Sequence, residues 1–135
     1  MSETLLTLDI GVTTGWAIFQ GRQLMDYSQT TVLSETLPQV LEKYNPDIVI
    51  SEIPIIFRGP LGDQLDKVVT TARSFLIGSD RTVIECEPSD WKPTPAAKMK
   101  CPKGTSQHEK DAIRMGYCFI QYWLQGNKRC TNVPG

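Results

Sequence analysis

The chain is poor in the residues that build soft-metal sites. It has one histidine, His108, and four cysteines with no C-x-x-C pair among them, which argues against a zinc centre of the usual ligand spacing. It also lacks a long hydrophobic run: the longest apolar stretch, residues 48–57, is broken by Ser51, Glu52 and Pro54, well short of the roughly 20 residues needed to cross a bilayer. No basic segment precedes the first apolar run, so a signal peptide is not expected. Cys86 and Cys118 fall within apolar strand and helix patterns, where reduced, buried thiols are expected, and thiols of that kind fit a cytoplasmic protein. The remaining composition, 40% hydrophobic and 21% charged over 135 residues, is that of one ordinary globular domain spanning 1–135.

A net charge of −1 conceals a division along the chain. Residues 1–91 hold 6 Lys/Arg against 13 Asp/Glu, and residues 92–135 hold 8 against 2, so a net −7 is followed by a net +6. Lys92, Lys98, Lys100, Lys103 and Lys110 crowd the approach to His108 and Asp111. A solvated loop accounts for such a run; beside a cluster of acids it also suits a polyanion. The sequence pI of about 5.8 speaks against indiscriminate coating of nucleic acid.

Hydrophobic periodicity orders the elements. Residues 4–10 and 16–19 read as strands joined by a tight turn at 11–15, and 23–33 as a returning third strand. Ser34 is the expected N-cap of a helix over 35–44, and 48–50 reads as a strand buried on both faces. A helix over 63–77, a strand over 82–86, a proline-rich loop over 88–105 and a last helix over 106–124 complete the chain. Three hairpin-linked strands followed by crossovers predict a mixed five-stranded α/β sheet, three antiparallel strands then two parallel ones, flanked by helices. In that sheet the first and fourth strands become parallel neighbours. Asp9 and Glu52, at equivalent strand ends, then sit side by side where open α/β sheets gather ligands.

His108 and Asp111 are three apart on the last helix and share a face. Three acids and a histidine from distant parts of the chain form a candidate divalent-metal site for phosphodiester chemistry. Each residue also has a plainer reading: Asp9 as a turn cap, Asp111 on a solvated helix face, His108 as a helix-start residue. Gly11 and Gly15 satisfy turn geometry, and Trp16, Trp91, Tyr117 and Trp123 read as core residues.

Four stretches in order carry a resemblance: Leu8-Asp9-Ile10-Gly11 with Gly15-Trp16-Ala17; Ile48-Val49-Ile50-Ser51-Glu52; Pro88-Ser89-Asp90-Trp91-Lys92; and His108-Glu109-Lys110-Asp111-Ala112. The chain resembles the RuvC-like Holliday-junction resolvases of the ribonuclease-H-like superfamily. The resemblance implies an endonuclease with two Mg²⁺ or Mn²⁺ ions, acting on branched DNA in recombination and repair. It makes Asp9, Glu52 and Asp111 metal-binding acids, with His108 in the place of a fourth acid. It puts Lys92 near bound DNA; the basic run Lys98, Lys100, Lys103 and Lys110, with Arg58, completes the candidate DNA-binding set. It offers Phe57 as the aromatic that wedges the junction, and pairing of two copies through the helix 63–77. The family's longer helical insert between the Trp-Lys motif and the last acids is shortened here to a Pro- and Lys-rich segment.

Three alternatives stay open on the residues: a nuclease of this fold acting on RNA or RNA–DNA hybrids, a catalytically silent nucleic-acid-binding module, and a phosphotransferase of the actin/sugar-kinase type. The last shares the look of residues 9–16 but needs a second phosphate loop that this chain does not offer.

Overall fold

A computed structural model describes residues 3–55 and 58–123. Five strands, β1 (Thr4–Asp9), β2 (Thr14–Gln20), β3 (Gln23–Thr30), β4 (Ile48–Glu52) and β5 (Thr82–Cys86), form one sheet in the order β3-β2-β1-β4-β5. β1–β2 and β2–β3 pair antiparallel; β1–β4 and β4–β5 pair parallel. This is the mixed sheet that the pattern predicts, with β1 and β4 neighbours at its centre.

The period-two alternation of a strand sorts its side chains onto two faces. Leu6, Leu8 and Ile10 face a core closed by α1 (Leu33–Tyr44) and α2 (Pro60–Leu76), which contributes Val69, Ala72 and Leu76. Leu5, Ala17, Phe19, Ile48 and Ile50 face the other core, closed by α4 (Gln107–Cys118) with Ala112, Ile113 and Met115. By the same alternation, Asp9 and Glu52 point toward the α4 side.

Element boundaries shift where local chemistry overrides pattern. α1 begins at Leu33 rather than behind Ser34, because Leu33 is buried against the core, and the cap is Val32 without a side-chain bond. It ends at Asn45 in the left-handed conformation, φ 44°. α2 starts three residues earlier than expected: Gly59, at φ 108°, turns the chain and Pro60 occupies the first helical turn, where its missing N–H costs nothing. The expected loop over 88–105 contains a short helix, α3 (Pro88–Trp91), and a 3₁₀ turn (Pro95–Lys98), each again opened by a proline.

α4 ends at Cys118 and passes into a π-helical turn, Phe119–Trp123. Cys86 is a buried free thiol as expected. Cys118 is not: it is disulfide-bonded.

Candidate active site

The parallel register of β1 and β4 pairs Asp9 with Glu52, and the antiparallel register of β1 and β2 pairs Asp9 with Gly15. Two carboxylates thus stand side by side on adjacent central strands, at the edge of a hydrophobic core. Gly15 matters through its missing side chain. A Cβ there would lie 2.0 Å from the His108 carbonyl oxygen, so the glycine lets the first turn of α4 press against β2 beside Asp9. Sequence reading assigned Gly15 to turn geometry; its role is close approach.

α4 is seated by further polar ties. Ser106 caps the helix, its Oγ accepting from the Glu109 N–H at 3.1 Å while Glu109 Oε1 accepts from the Ser106 N–H at 2.8 Å. The Ser106 hydroxyl also meets Gln29 Oε1 of β3 at 2.6 Å. On the buried face, the Thr7 hydroxyl donates to the Ala112 carbonyl at 2.7 Å. Farther along, Gly116 faces Phe19 where any Cβ would collide with the ring.

That seating brings His108 to the acids: its Nδ1 lies 3.6 Å from Asp9 Oδ2, too long for a hydrogen bond, with the imidazole about half exposed. Asp111, one turn on, is tied to its own helix, Oδ1 accepting from Gln107 Nε2 at 2.9 Å. Burial pushes the Asp9 carboxyl up to about 8, with Glu52 and then Asp111 adding repulsion and Lys92 opposing it. Burial likewise raises Glu52, against the Trp91 hydrogen bond and Lys92, which lower it. The four charged groups therefore share one electrostatic neighbourhood. Among the described residues, no three His, Cys, Asp or Glu side chains form a closed metal cage. Asp111 stays with Gln107 instead of closing on Asp9 and Glu52.

The donor set nonetheless fits hard divalent ions. Carboxylate oxygens are the ligands Mg²⁺ selects, and a largely buried acid pushed up to about 8 by burial, and then by its neighbours' negative charge, is relieved by an added cation.

Trp91, expected only as a core residue, also contacts one of the candidate acids. Its indole N–H donates to Glu52 Oε2 at 2.9 Å, inside the core. The Pro88-Ser89-Asp90-Trp91-Lys92 motif was the available signal, but Trp91 was read as core alone. Lys92 follows it, exposed, its ammonium 5.7 Å from the Trp91 ring centroid. Lys98, Lys100 and Lys103 are exposed between the 3₁₀ turn and α4, while Lys110 is half-buried in the first turns of α4. Arg58 is exposed just ahead of α2, and Phe57 lies outside the described residues.

The fold has close counterparts. The structure of RuvC from Thermus thermophilus in complex with a Holliday junction substrate superposes with a TM-score of 0.72 at 13% identity, covering 92% of this chain and 96% of that one. The fold is that of RuvC. A second Thermus thermophilus RuvC structure gives 0.70 at 13% identity, over 92% and 97% of the two chains. A fowlpox virus resolvase bound to Holliday junction DNA is more distant, at 0.49 and 22% identity over 90% and 76%. No family model and no curated protein sequence matches the chain. The likeness to RuvC is thus one of three-dimensional arrangement, carried by sheet order and helix placement.

Proposed function

We propose that the protein is a metal-dependent endonuclease that hydrolyses phosphodiesters in branched DNA, with four-way junctions as its main substrate. The observation that carries this reading is the register pair Asp9 and Glu52: two crowded carboxylates at the centre of a RuvC-like sheet, with Asp111 and His108 on the helix above them. Asp9, Glu52 and Asp111 are the residues to hold Mg²⁺ or Mn²⁺. Two such ions, when bound, would supply the charge neutralisation that hydrolysis of a phosphodiester anion needs.

The chain's own residues do the rest. Asp9 stands between Glu52 and the first turn of α4, where it is shared by both sides of the site. His108, half exposed, stands beside Asp9 with its Nδ1 3.6 Å from the carboxylate. Ile50 and Trp91, buried in the core on the α4 face, back the acids from that side. Lys92 and the exposed Lys98, Lys100, Lys103 and Arg58, with Lys110, meet the phosphate backbone.

Branched DNA is favoured over other polyanions by the RuvC-like arrangement, since the Thermus thermophilus RuvC of similar fold was solved with a Holliday junction substrate. Two symmetric cuts in a junction call for two copies. We place the pairing surface on α2: Val69 and Ala72 are taken up by the core, which leaves the exposed Leu61 and Phe75, with Ile77 beyond the helix end, for a second copy.

The test is a cleavage panel on duplex, flap, four-way junction and RNA–DNA hybrid with Mg²⁺ or Mn²⁺. Junction cleavage lost in Asp9→Asn supports the reading. Preference for the hybrid redirects it to RNA chemistry, and binding without any cleavage reduces the protein to a silent binding module. Light scattering at micromolar concentration, with Phe75→Glu as control, tests the pairing.

A further inference from the structure

We infer that Trp91 is the positioning residue of Glu52 and sets which divalent ion the site accepts. The inference rests on the proposed function above, because it takes Glu52 as a metal ligand. Trp91 is 1% exposed and Glu52 5%, and the indole N–H reaches Oε2 at 2.9 Å. A buried indole N–H left without an acceptor is costly, and so is a buried carboxylate without a donor. The bond therefore fixes both groups.

Its consequence lies in which oxygen remains. With Oε2 engaged by the indole, Oε1 is the freer oxygen that Glu52 offers to an ion, which favours ligation at one point. Mg²⁺ requires near-octahedral geometry at short distance, whereas Ca²⁺ takes six to eight oxygens and accepts a carboxylate through both of its own. A carboxylate pinned at one oxygen favours the smaller ion.

Trp91 is itself held from both sides. The Glu87 N–H donates to Asp90 Oδ2 at 2.7 Å in a capping box that fixes α3, and the Thr94 hydroxyl donates to the Trp91 carbonyl at 2.6 Å. The ring lies in the core with Ile50, Cys86 and Met115, so it has no freedom to follow Glu52 elsewhere.

Calorimetric titration of the full chain with Mg²⁺ and with Ca²⁺ tests this in wild type, Trp91→Phe and Trp91→His. Phenylalanine keeps an aromatic ring and removes the donor; histidine keeps a ring N–H. The expected result is Mg²⁺ affinity lowered roughly 10-fold in the Phe variant, with Ca²⁺ affected less and partial recovery in the His variant. Unchanged affinity for both ions in a folded Phe variant overturns the inference. Should the Phe variant fail to fold, the indole ¹⁵N–¹H resonance of Trp91 in wild type replaces it: it is expected to move on Mg²⁺ saturation and in Glu52→Gln, and an indole indifferent to both overturns the role. A wild type that binds neither ion defeats the nuclease reading, and this inference with it. A wild type that binds Mg²⁺ no better than its Phe variant removes Trp91 alone.

Discussion

The two faces of the sheet are closed by different means. On the α1/α2 face the helices are held by apolar stripes, Leu37, Val40 and Leu41 from one and Val69, Ala72 and Leu76 from the other, against Leu6, Leu8 and Ile18. The polar ties on this face, Thr36 to Thr30, Tyr44 to Asp26 and Arg73 to Glu85, touch no residue of the acid cluster. On the α4 face the helix is indexed: Gly15 and Gly116 admit it at two points, Thr7 hooks its middle, and the Ser106 cap ties its start to β3. The difference teaches where positional accuracy is needed. α4 carries His108 and Asp111 to Asp9 and Glu52, and a shift of a fraction of an ångström alters the site; α2 carries no residue of the cluster.

The sharpest way to break the comparison is at its centre. Asp9→Asn removes the carboxylate shared by both sides and is expected to lower junction cleavage on the order of 10³-fold in single-turnover assays, with the fold retained. Next in size is Gly15→Ala, whose methyl overlaps the His108 carbonyl. It should cost roughly 2–3 kcal/mol in urea unfolding, and misplacement of α4 should reduce cleavage about 100-fold. The matching change on the other face, Val69→Ala, should cost about 2 kcal/mol and leave cleavage within a factor of two. Equal loss of activity in the two variants would erase the distinction between the faces.

Acidity sharpens it further. Burial, Glu52 and Asp111 hold the Asp9 carboxyl at about 8, far above its ordinary 3.8. Between those values the folded protein keeps a proton that the unfolded chain has released. Stability conferred by that proton is therefore fully present at low pH and is lost as pH rises through this window. Denaturation in EDTA should show a loss on the order of 2 kcal/mol from pH 5 to 8, flattened in Asp9→Asn and offset by Mg²⁺. The smallest effect is expected at Arg73, whose exposed two-point contact with Glu85 joins α2 to the sheet edge: Arg73→Gln should change stability by about 0.5 kcal/mol.

Much of this was legible in the chain. Leu5-Leu6-Thr7-Leu8-Asp9 and Ile48-Val49-Ile50-Ser51-Glu52 read as buried strands ending in acids because an uninterrupted apolar run has few other uses. The expected start of the last helix near Ser106 holds, and the structure supplies the reason in a local exchange of hydrogen bonds with Glu109. What was not legible depends on partners far along the chain. Glu52 and Trp91 are 39 residues apart, and no local pattern states that the indole will find that carboxylate. Gly15 looked like a turn residue because its neighbour in space, His108, is distant in sequence. The start of α2 was read late because Gly59 and Pro60 each look like breakers alone, while together they open a helix.

The in-register alignment of the first and fourth strands also constrains how such a protein can change. Insert one amino acid within either segment and the alternation inverts: Leu8 would turn toward α4 while the acid went under α2. Apolar interior and carboxylate rim would be lost in the same event. A lineage carrying this arrangement can lengthen its connecting segments freely, yet those two short stretches admit substitution only, never a change of length.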